Sequence, residues 1–213
     1  MTAVVLASAS PARLTVLRAA GIDPLVAVSD VDESAVLAGV AQDPPDVQVG
    51  VLAAAKADTV ADTVAGALPA DVAADCVVIG CDSMLLIDGD LQGKPDGAEQ
   101  ARQRWAKMAG REGILLTGHA VRRVTSGRPT AGAVGTRSTT VRMGVPTPAE
   151  LSAYIATGEP LAVAGALTID GYGGWFVDSV DGDPSNVIGI SLPLTRRLLA
   201  DVGIAVTDLW RSA

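Results

Sequence analysis

Short uncharged runs alternate with amphipathic stretches along the chain, and their periods predict most of its elements. Ala3–Ala7 is an apolar run too short for a stable helix and reads as a buried strand. After it, Leu14, Leu17 and Ala20 recur at helical spacing. Ser10 stands as N-cap, Pro11 at the first helical position and Gly21 as the stop. Leu25–Ser29 predicts a second strand, and Gln42–Asp46, with its two prolines, a loop. Val47 to about Ala65 predicts a helix with Val47, Val51, Leu52, Ala55 and Val60 on its apolar side. The β-branched run Cys76–Cys81 predicts a buried strand, Met84–Ile87 another, Asp88-Gly89 a tight turn and Leu91-Gln92 the return. Helices are expected over Ala98–Ala109, closed by Gly110, and from a capping box at Thr147–Glu150 to Gly158. Strands are expected over Ile114–Val124, about Val134–Met143 and Phe176–Val180, with a last helix over Pro193–Val202.

Composition removes several function classes. No charge-free run, Pro184–Thr195 being among the longest, approaches the ~18 residues of a membrane helix. The N-terminus lacks the basic region of a secretory signal, so a soluble, cytoplasmic protein without a membrane partner is expected. Cys76 and Cys81 lie an odd number of residues apart on one strand, which points them to opposite faces and excludes a mutual disulfide. A net charge of −8 argues against a nucleic-acid polymer as partner. Any phosphate chemistry must rest on a local cluster of cations.

Candidate cations and carboxylates fall at element ends. Ser8, Ser10 and Arg13 surround the strand-to-helix turn, where free N–H groups and the helix dipole favour an anion. Asp82 follows the Cys76–Cys81 run, where a catalytic acid sits in an open α/β sheet. Lys94 stands on the stiff corner Gly93-Lys94-Pro95. That corner is not a Walker A loop: three residues rather than four separate Gly89 from Gly93, and Pro95 replaces the Ser/Thr. Asp30, Asp32 and Glu33 fit either a solvated turn or hard-cation ligands. The chain has three lysines against thirteen arginines, and Lys56 and Lys94 both occupy candidate positions. His119, the one histidine, has no partner His or Cys nearby in sequence and reads as structural. The Gly-rich stretch Ala164–Trp175 allows close backbone approach but fails G-x-G-x-x-G at Phe176.

Taken together, LASASPARLTVL, SDVDES, AAAKA, GCDSMLLIDGDLQGKP, TGHAV, ATGEPLAVAGALTIDGYGG and DGDPSNVIGISL resemble the Maf family over nearly the whole chain. The resemblance implies one domain over residues 1–213, without a clear linker. It implies an α/β fold related to inosine triphosphatases, with an elongated mixed sheet, flanking helices and two lobes around a cleft. It also implies house-cleaning hydrolysis of nucleoside triphosphates to monophosphate and pyrophosphate with a divalent cation, Mg²⁺ or Mn²⁺, often by a homodimer. Asp82 then matches the catalytic carboxylate, and Glu33 with Asp82 the metal side. Ser8, Ser10, Arg13, Lys56 and Lys94 match the polyphosphate contacts. A phosphatase releasing orthophosphate and a non-catalytic nucleotide sensor acting in cell division are the rival functions. The branch preferring dTTP and UTP carries Arg, Thr and Gln where this chain has Ala12, Ser83 and Asp170. A carboxylate only accepts hydrogen bonds, so Asp170 and Ser83 lead to an expectation of weaker preference for those bases.

Overall fold

The computed structural model describes residues 2–211; Met1 and the last two residues of the expected 1–213 domain lie outside the described residues. The elements follow as β1 (Ala3–Ala7), α1 (Pro11–Ala19), β2 (Leu25–Val26), α2 (Glu33–Gly39), α3 (Pro45–Ala67) and α4 (Ala70–Ala74). Next come β3 (Asp75–Ile87), β4 (Asp90–Gln92), α5 (Ala98–Met108), β5 (Glu112–Thr125) and β6 (Arg128–Met143). The chain closes with α6 (Pro148–Ala156), β7 (Val177–Asp181), α7 (Pro184–Ile188) and α8 (Leu192–Asp201). Strands pair in the order β2-β1-β3-β5-β6-β7, with β4 on β3. β1 runs parallel to β2 and β3, whereas β3–β4 and β6–β7 are antiparallel, so the α/β sheet is mixed.

Two compact units are distinguished. One comprises Met1–Asp82, Thr117–Arg137 and Gly189–Ala213; the other comprises Ser83–Leu116 and Ser138–Ile188. In the first unit the alternation of β3 divides its side chains between two cores. Val77, Ile79 and Cys81 pack with Leu6, Leu17, Leu194 and Leu198, while Cys76 and Val78 pack with Ala53, Ala57, Val60 and Ala61 of α3. Each fully buried aliphatic side chain is worth about 1.5–3 kcal/mol, which explains why an uncharged, β-branched run belongs at the centre. The two cysteines are free and buried on opposite faces, as their spacing requires. The second unit centres on Trp105, Tyr154 and Phe176, packed edge-on or tilted.

Four expectations change. β3 is one 13-residue strand rather than two, so Asp82 lies inside it and not at its end. Its ladder with β1 stops at Gly80 and that with β4 opens at Leu85, so neither covers Cys81–Met84. Strand continuity is decided by neighbours, which a polar Asp82-Ser83 pair cannot reveal. The second strand shrinks to Leu25–Val26, an exposed edge. The short helices α2 and α4 have too few residues to show a period. The buried face of α3 is Val49, Leu52, Ala53, Ala57, Val60, Ala61 and Val64, while Val47 is exposed. Alanines set this face because the sheet comes close.

Candidate active site

The turn between β1 and α1 folds as its residues dictate. Ser10 has extended dihedrals and its Oγ accepts from the Arg13 backbone N–H, capping α1. Ser8 is buried, and its Oγ accepts from the Ser10 N–H at 3.2 Å and from Arg13 Nη1 at 2.9 Å. Arg13 is anchored further: Nη1 donates to the Cys81 carbonyl at 2.9 Å and Nε to the Gly189 carbonyl at 2.8 Å. Its charge is therefore held beside the residue that precedes Asp82.

Glycines bring the lysine. A Cβ at Gly80 would stand 2.5 Å from the Ala53 carbonyl and 2.9 Å from the Ala57 nitrogen, and one at Gly118 would stand 2.0 Å from the Val49 carbonyl. These two positions let α3 lie directly on β3 and β5. Lys56, between Ala53 and Ala57, then reaches Asp82 Oδ1 with Nζ at 2.5 Å and Glu33 Oε1 at 2.7 Å. The Lys56 and Asp82 side chains are 11% and 9% exposed, whereas Glu33, at the first turn of α2, is 54% exposed. Asp82 Oδ2 is buried and makes no hydrogen bond among the described residues. Gly80→Val should push α3 outward, lowering stability by about 1–3 kcal/mol and separating Lys56 from Asp82. A thermal melt with an activity assay checks both effects.

Burial pushes the Asp82 carboxyl above the usual carboxylate range. Lys56 and Arg13 oppose the shift by favouring the ionised form, and Glu33 adds to it. Burial likewise holds the Cys81 thiol at about 11, so it stays protonated and is no nucleophile. Asp82 and Glu33 suit a hard divalent cation, with Asp82 Oδ2 a buried acceptor and Glu33 open to solvent. Among the described residues no group of three or more His, Cys, Asp and Glu converges on a metal site. Such a cation would therefore depend on phosphate oxygens and water for its remaining ligands.

Asp32 caps α2, its Oδ1 accepting from the Ala35 N–H at 3.0 Å. The structure thus brings Ser8, Ser10, Arg13, Glu33, Lys56 and Asp82 into one unit. Ser83, Lys94 and Asp170 belong to the other. There Arg104 donates to the carbonyls of Gly93 and Lys94 and holds their corner, with Lys94 itself exposed. Asp170 is exposed on the Gly-rich loop. Glu159 organises that loop: it accepts from the Tyr172 and Gly173 N–H groups, each at 2.9 Å, and from the Thr168 hydroxyl. A Cβ at Gly171 would meet Glu159 Oε2 at 2.3 Å. Sequence reasoning missed Glu159, Gly80 and Gly118, since a glycine's need for close approach is visible only from the neighbour it admits.

Residues 3–202 match the family described as Maf-like protein. Among similar curated proteins, one from Nocardia farcinica (strain IFM 10152) is 60% identical over 97% of this chain and 96% of its own length. One from Saccharopolyspora erythraea is 59% identical over 97% and 96%. One from Mycobacterium sp. (strain JLS) is 58% identical over 98% of each chain. All three carry the name nucleoside triphosphate pyrophosphatase.

Proposed function

The chain belongs to the Maf-like protein family, and on that premise we propose that it hydrolyses nucleoside triphosphates to the monophosphate and pyrophosphate, a house-cleaning activity on nucleotide pools. The observation that carries this reading is Asp82: a buried carboxylate with Oδ1 on Lys56 and Oδ2 without a hydrogen bond among the described residues. A protein that only sensed nucleotides would gain nothing from a carboxylate buried where an anion must dock.

In this mechanism the β1–α1 turn takes phosphate oxygens through its hydroxyls and the fixed Arg13 charge. Lys56 and Lys94 hold the rest of the polyphosphate. Asp82 orients a water at the α-phosphorus and takes its proton as the new P–O bond forms and pyrophosphate leaves. Asp82 and Glu33 would hold a divalent cation, which when bound neutralises phosphate charge. By the family resemblance Ser83 and Asp170 correspond to base-selecting positions, and an acceptor-only Asp170 would weaken preference for uracil and thymine. The activity is placed in the cytoplasm, with a homodimer as the assembly the family resemblance implies. Among the described residues no helix is long and apolar enough to cross a membrane.

The reading is tested with a nucleotide panel in Mg²⁺ or Mn²⁺ and ¹⁸O-water, with pyrophosphate and orthophosphate measured separately. Pyrophosphate should appear in step with monophosphate, and orthophosphate should not be a first product. Early orthophosphate with accumulating diphosphate would establish a phosphatase instead. For the metal, Glu33→Gln should raise the Mg²⁺ concentration giving half-maximal rate by about tenfold, as expected when a ligand-side carboxylate is lost. An unchanged titration curve removes Glu33 from the site.

A further inference from the structure

His119 is fully buried, and no step above uses it. Its Nε2 lies 2.7 Å from the Ser191 backbone nitrogen and its Nδ1 3.0 Å from the Thr117 carbonyl. A backbone N–H only donates and a carbonyl only accepts, so Nε2 carries the lone pair and Nδ1 the proton. The ring is neutral and held in one tautomer by two backbone partners.

The Ser191 bond leads back to the candidate active site. Ser191 is the N-cap of α8, and its Oγ accepts from the Leu194 N–H at 3.2 Å. That cap is made by the side chain, whereas His119 grips the backbone of the turn before the helix. Two residues earlier Gly189 has a φ of 122°, open to glycine and strained for other residues. Its carbonyl is the acceptor for Arg13 Nε. A guanidinium is a rigid plane on a rotamer-rich stem, so fixing one N–H edge on a rigid carbonyl fixes the plane.

We propose that His119 is a positioning residue for Arg13. By taking the Ser191 N–H it sets the Gly189–Ser191 turn, and the Gly189 carbonyl then aims the guanidinium at Ser8 and the Cys81 carbonyl. The inference rests on the reading of Arg13 as a phosphate-binding cation.

The test compares His119→Gln with His119→Asn. A glutamine amide reaches the place of Nε2 and can accept from Ser191. An asparagine amide reaches only the place of Nδ1 and gives up the contact with the Ser191 N–H. Binding of inorganic tripolyphosphate is measured by calorimetry, alongside kcat and KM, in the parent and in an Arg13→Ala background. His119→Asn should weaken tripolyphosphate binding about tenfold, the scale of one charge-assisted contact, and raise KM more than it lowers kcat. His119→Gln should restore binding to within about threefold, and the Asn–Gln difference should vanish without Arg13. Gly189→Ala strains the same turn from its other end, since alanine disfavours a φ of 122°. It should weaken binding alike, which keeps the test decisive if the Asn variant does not fold. Equal affinities for the Asn and Gln variants, a difference that persists without Arg13, or unchanged binding in Gly189→Ala overturns the proposal. If Arg13→Ala leaves tripolyphosphate binding intact, the phosphate reading of Arg13 falls with it. If Arg13→Ala weakens binding while both His119 variants match the parent, the positioning role alone falls.

Discussion

Asp82→Asn is expected to lower kcat by about 10²-fold or more, the usual worth of a positioned general base, in a protein that still folds. Asparagine keeps the shape and the contact region of Lys56 but cannot take a proton from water. The fold should tolerate it well. Burial raises the Asp82 pKa above its unfolded value, so its stabilising contribution is full at low pH and is lost as pH rises through the folded pKa. At neutral pH the parent already bears that loss and the asparagine variant does not. The variant should therefore melt at the same temperature or higher while its turnover collapses. The same sign governs activity: the acid limb of kcat/KM should lie above the ordinary carboxylate range, because the base works only when ionised. A folded Asn variant with near-parental kcat removes Asp82 from the chemistry.

Lys56→Met should be nearly as severe, and it carries a different signature. Lys56 is the strongest of the influences that favour the ionised Asp82, through both its charge and its hydrogen bond. Without it, burial and Glu33 act on Asp82 with only Arg13 opposing among those influences, so the carboxyl protonates more readily and the acid limb moves to higher pH. Removing one partner of a buried ion pair typically costs about 3–5 kcal/mol. Here proton uptake by Asp82 relieves that cost, so much of the effect should appear as lost base rather than lost fold. At neutral pH kcat/KM should drop by ~10²-fold or more, with partial recovery toward alkaline pH. A pH–rate profile decides it. A lower rate with an unmoved acid limb would confine Lys56 to holding phosphate.

Much of this was legible in the chain because it is local. Ser10, Pro11 and Gly21 delimit α1 through capping and backbone freedom, and Thr147 with Glu150 forms the capping box that opens α6. Asp88-Gly89 turns β3 into β4 with φ values of 53° and 83°, as a two-residue hairpin demands. Even the opposite facing of Cys76 and Cys81 follows from a period of two. The motifs, seven in order, also pointed to the residues that cluster, since Asp82, Glu33, Lys56 and Arg13 all recur in them.

What the sequence by itself determined is thus the kind of element at most stretches, the candidacy of Asp82 and the cations near it, and the family to which the chain belongs. Only the tertiary structure decided that Asp82 lies inside a 13-residue strand, and that Lys56 bridges it to Glu33. It alone decided that His119 grips the turn that anchors Arg13. The physical reason is range. Capping, turn chemistry and side-chain alternation act over a few residues and leave their signature in the sequence. The closeness of α3 to Gly80, the neighbours that continue a strand and the burial that raises the Asp82 pKa all depend on groups brought together from distant segments.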